Sequence, residues 1–126
     1  MLSEKDFISK PFSTVIENGS FQWSAPSNIA LVKYWGKKES GVQLPANPSI
    51  SWSLGDLHAT TTVELFPRKG QQAFVFTLGG EFKPSFEPKI EAFLGKIAND
   101  CPWLPNYTLI IDSINNFPHG TGIASS

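Results

Sequence analysis

The chain has 126 residues, with 10 Lys plus Arg against 11 Asp plus Glu, a formal net charge of −1 and a single cysteine. That balance excludes a global field that would steer nucleic acid or an anionic membrane, and one cysteine excludes an internal disulfide. A hydrophobic share of 40% with ten Phe and four Trp excludes disorder and allows one compact domain, and with neither a spanning-length apolar run nor a leader-type segment the expectation is a soluble, cytoplasmic protein.

Residues 1–19 mix charge with scattered Phe and show no period, so an irregular N-terminal arm is expected there, with the folded domain over 20–126. Phe21-Gln22-Trp23-Ser24-Ala25 alternates apolar and polar residues as a half-buried strand does, and Pro26 is expected to break it. Asn28–Val32 is a short apolar run, read as a continuing buried strand, after which Lys33-Tyr34-Trp35-Gly36-Lys37-Lys38 turns out of the sheet. Ser49–Leu54 alternates strictly. Ala59–Phe66 is rich in Thr and Val, and Arg68-Lys69-Gly70 reads as the hairpin turn that folds Ala73–Leu78 back onto it, closed by Gly79-Gly80. Between Pro84 and Asp100, the residues Ile90, Phe93, Leu94, Ile97 and Ala98 recur at helical spacing, with Pro88 suited to the first turn. Tyr107–Ile111 is a buried strand. Strands with one or two helices on one face make this an α+β fold.

Two blocks carry chemistry. In the first, Lys33, Lys37 and Lys38 stand beside Tyr34 and Trp35 at the end of a strand, where sites are commonly built. From spacing alone, a solvated turn is the plainer account of them. In the second, residues 115–126, Pro118, Gly120 and Gly122 deny the backbone a regular ladder, and Ser125 and Ser126 are good helix openers. A Gly-rich turn feeding a helix start presents backbone N–H groups and a positive dipole end to phosphate. From composition alone such a segment is more often a plain loop, and it lacks the Gly-Lys-Ser/Thr ending of a Walker loop. The helix that should follow would lie beyond Ser126, so the chain reads as the front part of a longer protein. His119 is either a phosphate contact or a loop-surface residue, the second being the commoner case. His58 reads as an edge-strand surface residue, Cys101 as a structural thiol and Asp112 as the acid nearest the loop.

The segment Asn28-Ile29-Ala30 to Lys33-Tyr34-Trp35-Gly36-Lys37, the run Leu44-Pro45-Ala46-Asn47-Pro48-Ser49-Ile50-Ser51, and Asn115-Asn116-Phe117-Pro118 leading to Gly122-Ile123-Ala124-Ser125-Ser126 together resemble the diphosphomevalonate decarboxylases of the GHMP kinase superfamily. The likeness runs from about Trp23 to Ser126 and is weakest between Phe66 and Tyr107. Those members usually carry Thr-Ala-Ala where this chain has His119-Gly120-Thr121, which leaves the shape of the loop open.

The resemblance implies a GHMP-type N-terminal domain, similar in topology to the second domain of ribosomal protein S5, with its C-terminal remainder absent from this chain. It implies ATP with Mg²⁺, mevalonate 5-diphosphate as substrate, and a homodimer. The implied reaction phosphorylates the tertiary 3-hydroxyl, then loses that phosphate with CO₂ to give isopentenyl diphosphate. By position, Lys33 takes the catalytic place near the reacting hydroxyl. Tyr34, Trp35, Gly36, Lys37 and Lys89 fall in substrate-binding places, although a solvated helix charge is an equal account of Lys89. Ser113, Asn115, Pro118, Gly120, Gly122, Ala124, Ser125 and Ser126 fall around the nucleotide, Ser126 also near the metal. The family's essential aspartate, and its serine- and arginine-bearing substrate segment, lie downstream of Ser126, so these 126 residues alone are expected to be inactive. The alternatives are a related mevalonate or phosphomevalonate kinase or decarboxylase, or a non-catalytic S5-like binding module.

Overall fold

In the computed structural model, the described residues are 8, 10–13, 18–32 and 47–120. Strand β1 spans Gly19–Val32, β2 Ile50–Pro67, β3 Phe74–Leu78 and β4 Glu81–Phe82, and helix α1 (Glu87–Ile97) precedes β5 (Tyr107–Asn115). The five strands form one sheet in the order β1-β2-β5-β3-β4. With the helix this is the α+β arrangement expected. The chain divides into two compact units, one from the described part of 1–22 with 61–113, the other from the described parts of 23–60 and 114–126.

Several expectations need correction. Pro26 does not end its strand, because β1 continues through it to Val32. Since β1 is first in the strand order, a missing N–H can face away from β2, its one neighbour among the described strands. The segment Asn28–Val32 is a strand but not a buried one, for Leu31 is 64% exposed and Ser27 is the buried residue of this stretch. Ser49–Leu54 and Ala59–Phe66 are not two strands but parts of the single β2, which runs through Gly55 and Asp56.

The hairpin expected at Arg68-Lys69-Gly70 does not form either. β5 lies between β2 and β3, and β3 pairs with it in parallel, Val75 opposite Ile110 and Phe76 opposite Ile111. β5 carries the buried Tyr107 and Leu109, and an inner place pairs its backbone on both edges, whereas a local β2–β3 hairpin would leave it at the rim. A parallel pair needs a crossover, which β4 and α1 supply. The β2–β5 pairing is antiparallel: the Arg68 N–H donates to the Asn106 carbonyl at 2.8 Å, while the Asn116 N–H donates to the His58 carbonyl at 3.1 Å. His58 therefore sits on an inner strand rather than an edge.

The true tight hairpin is at Gly79-Gly80. Their φ angles of 62° and 78° meet the two-residue turn's demand for positive φ at both positions, and Thr77 pairs with Phe82 across it. Within the first unit, Leu65, Tyr107 and Leu109 form the buried core, with Val63, Phe74, Leu94, Trp103, Leu104 and Ile111 packed against it. Trp103 meets Tyr107 edge to face at 5.8 Å, and Phe76 lies 5.3 Å from Phe86. Pro88 stands in the first turn of α1 as expected. The helix buries no residue completely; Ile90, Leu94 and Ile97 are half-buried, while Phe93 is 58% exposed. The N-terminal segment is tied to this unit, the Phe12 N–H donating to the Asp100 carbonyl at 2.7 Å.

Candidate functional site

The second chemistry-bearing block begins where β5 ends. In the second unit, Asn115 closes the strand, Asn116 bends away from it, and Phe117 is buried at 7% exposure, which anchors the turn that follows. Pro118 is exposed and restricts its predecessor to extended backbone. Gly120 has a φ of 80°, and the space a β-carbon would take there holds no atom within 4 Å. Glycine is thus required at 120 by conformation rather than by crowding. An open loop that exposes backbone in this way is the kind of surface on which an anion can rest.

The Asn116 carboxamide makes the connection to β2. Its Oδ1 accepts from the His58 N–H at 2.8 Å, and its Nδ2 donates to the Asp56 carbonyl at 2.6 Å and to His58 Nδ1 at 3.2 Å. These bonds satisfy β2 beside Gly55, which explains why that strand is not interrupted there. In the sequence, Asn116 stands out only as part of a motif. An Asn doublet at a strand-to-loop junction was the available signal, since Asn side chains imitate backbone groups.

In the first unit, Ser113 is half-buried on β5, its Oγ 2.9 Å from Thr61 Oγ1, and its carbonyl accepts from the Gly79 N–H at 2.8 Å. The next carboxylate along, Asp112, accepts from the Thr77 hydroxyl and, at 3.3 Å, from the Gly80 N–H. Asp112 therefore braces the β3–β4 hairpin, a structural duty. Lys89 is exposed in the first turn of α1, its ammonium 5.6 Å from the centre of the Phe86 ring. That contact gives Lys89 a local role independent of any ligand. Cys101 is half-buried just past α1, its N–H donating to the Ile97 carbonyl at 2.9 Å.

Lys33, Tyr34, Trp35, Gly36, Lys37, Gly122, Ala124, Ser125 and Ser126 lie outside the described residues. Of the nucleotide set, Asn115, Pro118 and Gly120 come together at the β5 exit. Among the described residues no group of three His, Cys, Asp or Glu side chains could hold a metal, and no helix is long and apolar enough to cross a membrane.

A glycine turn held by an anchored strand exit, on a mixed five-stranded sheet with one helix, defines the class as an α+β domain. The family model for the diphosphomevalonate decarboxylase-like N-terminal domain matches residues 25–126, and the chain belongs to that family. It is 35% identical over 114 residues to the diphosphomevalonate decarboxylase of Candida albicans, covering 82% of this chain and 31% of the relative. With the rat enzyme of the same name it shares 33% identity over 115 residues, covering 82% of this chain and 29% of that one. The crystal structure of mevalonate diphosphate decarboxylase from Staphylococcus aureus superposes with a TM-score of 0.71 at 32% identity, over 86% of this chain and 32% of that one. A further neighbour, TM-score 0.68 and 32% identity over 86% of this chain and 32% of its own, is a complex with MVAPP, AMPPCP and magnesium. The chain thus spans about a third of the length of the relatives it matches.

Proposed function

We propose that this chain supplies part of the nucleotide- and substrate-binding half of an ATP-dependent decarboxylase that converts mevalonate 5-diphosphate to isopentenyl diphosphate. The observation that carries the reading is the family match across residues 25–126, which includes both chemistry-bearing blocks. The open loop around Gly120, with its positive φ, supports phosphate binding. A neighbour crystallised with MVAPP, AMPPCP and magnesium supports the ligand classes.

In this reading, Lys33 neutralises charge beside the tertiary hydroxyl as it is phosphorylated, which is where an ammonium aids phosphoryl transfer. Tyr34, Trp35, Gly36 and Lys37 hold the substrate diphosphate, and Lys89 lends charge when its side chain leaves the Phe86 ring. Ser113, Asn115, Pro118 and Gly120, with Gly122, Ala124, Ser125 and Ser126, line the nucleotide. Phosphorylation turns a poor leaving group into a good one. Its departure leaves a cationic carbon that electrons from the departing carboxylate fill. The Ser126 hydroxyl would help to hold magnesium, which would supply neutralising charge to the nucleotide phosphates. The protein is a cytoplasmic homodimer in this reading.

The test uses the longest polypeptide the gene encodes, incubated with ATP, Mg²⁺ and, in parallel, mevalonate, its 5-phosphate and its 5-diphosphate. CO₂ released in step with ADP on the diphosphate alone establishes the reading. ADP without CO₂ replaces it with a kinase of the same superfamily, and neither product on any substrate overturns both.

A further inference from the structure

We infer that Asn116 is a positioning residue for the nucleotide loop, acting by standing in for a stretch of backbone at the last rung of the β2–β5 ladder. The inference rests on the nucleotide reading above. In a regular antiparallel rung, two residues exchange both of their backbone bonds. Here Asn116 gives its own N–H to the His58 carbonyl, but the His58 N–H goes to the Asn116 side-chain Oδ1. The substitution completes the rung while releasing the Asn116 carbonyl from it. The backbone can therefore leave the sheet at Asn116 and turn directly into Phe117-Pro118-His119-Gly120.

The amide's orientation follows from the same contacts. Turned over, its oxygen would face the Asp56 carbonyl and its amino group the His58 N–H, two repulsive pairings in place of two bonds. As placed, Nδ2 spends its hydrogens on the Asp56 carbonyl and His58 Nδ1, so every donor and acceptor of the side chain is used. The His58 ring must then keep Nδ1 unprotonated and carry its hydrogen on Nε2. Buried Phe117 is the next residue, and the exit direction set at Asn116 is thereby passed to the loop. Aspartate would keep the acceptor but set a second oxygen against the Asp56 carbonyl, and serine has too short a reach for both contacts on β2.

The experiment compares Asn116→Ala and Asn116→Asp with the unsubstituted protein, again as the longest encoded polypeptide, by amide hydrogen exchange and by steady-state kinetics. The expected result is exchange about tenfold faster at Phe117, His119 and Gly120, with Leu109 and Ile111 unchanged, and a KM for ATP raised about tenfold while that for the phosphorylated mevalonate substrate holds. Loop exchange equal to that of the unsubstituted protein overturns the inference, as does acceleration spread evenly over β5, which would mean general loosening. Locally faster exchange in a protein that binds no ATP upholds the pin at Asn116 and overturns the nucleotide reading instead.

Discussion

Replacing Asp112 by asparagine separates a bracing role from a catalytic one. The same carboxylate oxygen accepts both the Thr77 hydroxyl and the Gly80 N–H. An asparagine can offer an oxygen in that place, so both bonds survive and only their charge assistance is lost. A hydrogen bond to a charged partner contributes about 1.5–3 kcal/mol and a neutral one about 0.5–1.5, so the Thr77 bond should weaken by about 1 kcal/mol. The Gly80 bond adds little, being long and exposed. Asp112→Asn should therefore lose about 1 kcal/mol of stability, which for a domain of this size lowers the melting temperature by about 4 °C. Turnover of the whole enzyme should fall by less than about threefold. The assay pairs a thermal melt with kcat measured well below the melting range. A general base removed in the same way would cost about 10²–10⁴-fold in rate. A loss of that size with an unchanged melt would refute the bracing role and move Asp112 into the chemistry.

Other outcomes follow from the same geometry. Leu109→Ala empties the centre of the first unit's core, where Leu109 is 5% exposed, and should cost about 2–5 kcal/mol in a denaturant melt. Gly120→Ala places a β-carbon in open space but on a left-handed backbone, so it should cost about 1–2 kcal/mol or shift the loop, read by the Gly120 amide resonance and the KM for ATP. Glu81 is held below the usual carboxylate range first by a hydrogen bond from Lys83 and then by its charge, across an ion pair of 2.7 Å. A lowered folded-state value stabilises above the carboxyl's unfolded pKa and fades as pH falls through the folded one. Because both partners reach solvent, Glu81→Gln should lower the melting temperature at pH 7 only slightly, and that small difference should vanish in acid, where Glu81 is protonated.

Local chemistry was legible in the residues. The stripe of Ile90, Phe93, Leu94, Ile97 and Ala98, with Pro88 in its first turn, specified α1 within a few positions because helix periodicity and first-turn preferences act over neighbouring residues, although Phe93 and Ala98 stay exposed. The apolar run from Tyr107 and the loop glycine at 120 were equally plain, as was family membership, which rests on motifs contiguous in the chain, whereas Gly79-Gly80 read only as the close of a strand and not as the hairpin it makes. Strand partners were another matter. The chain's own order suggested that Ala73–Leu78 folds back on Ala59–Phe66, yet β5, which comes some thirty residues later, takes the place between them. Burying that apolar strand at the centre outweighs the low loop-closure cost of the local hairpin, and only the full sheet can make the comparison. The tertiary structure alone likewise decided that Pro26 could stay in a strand, by putting β1 at a rim, and that Gly55 would not break β2. Asn116 reaches Asp56 and His58 from about sixty positions away, with a side chain that takes the place of backbone. No local pattern encodes that distance; it exists only once β2 and β5 are paired.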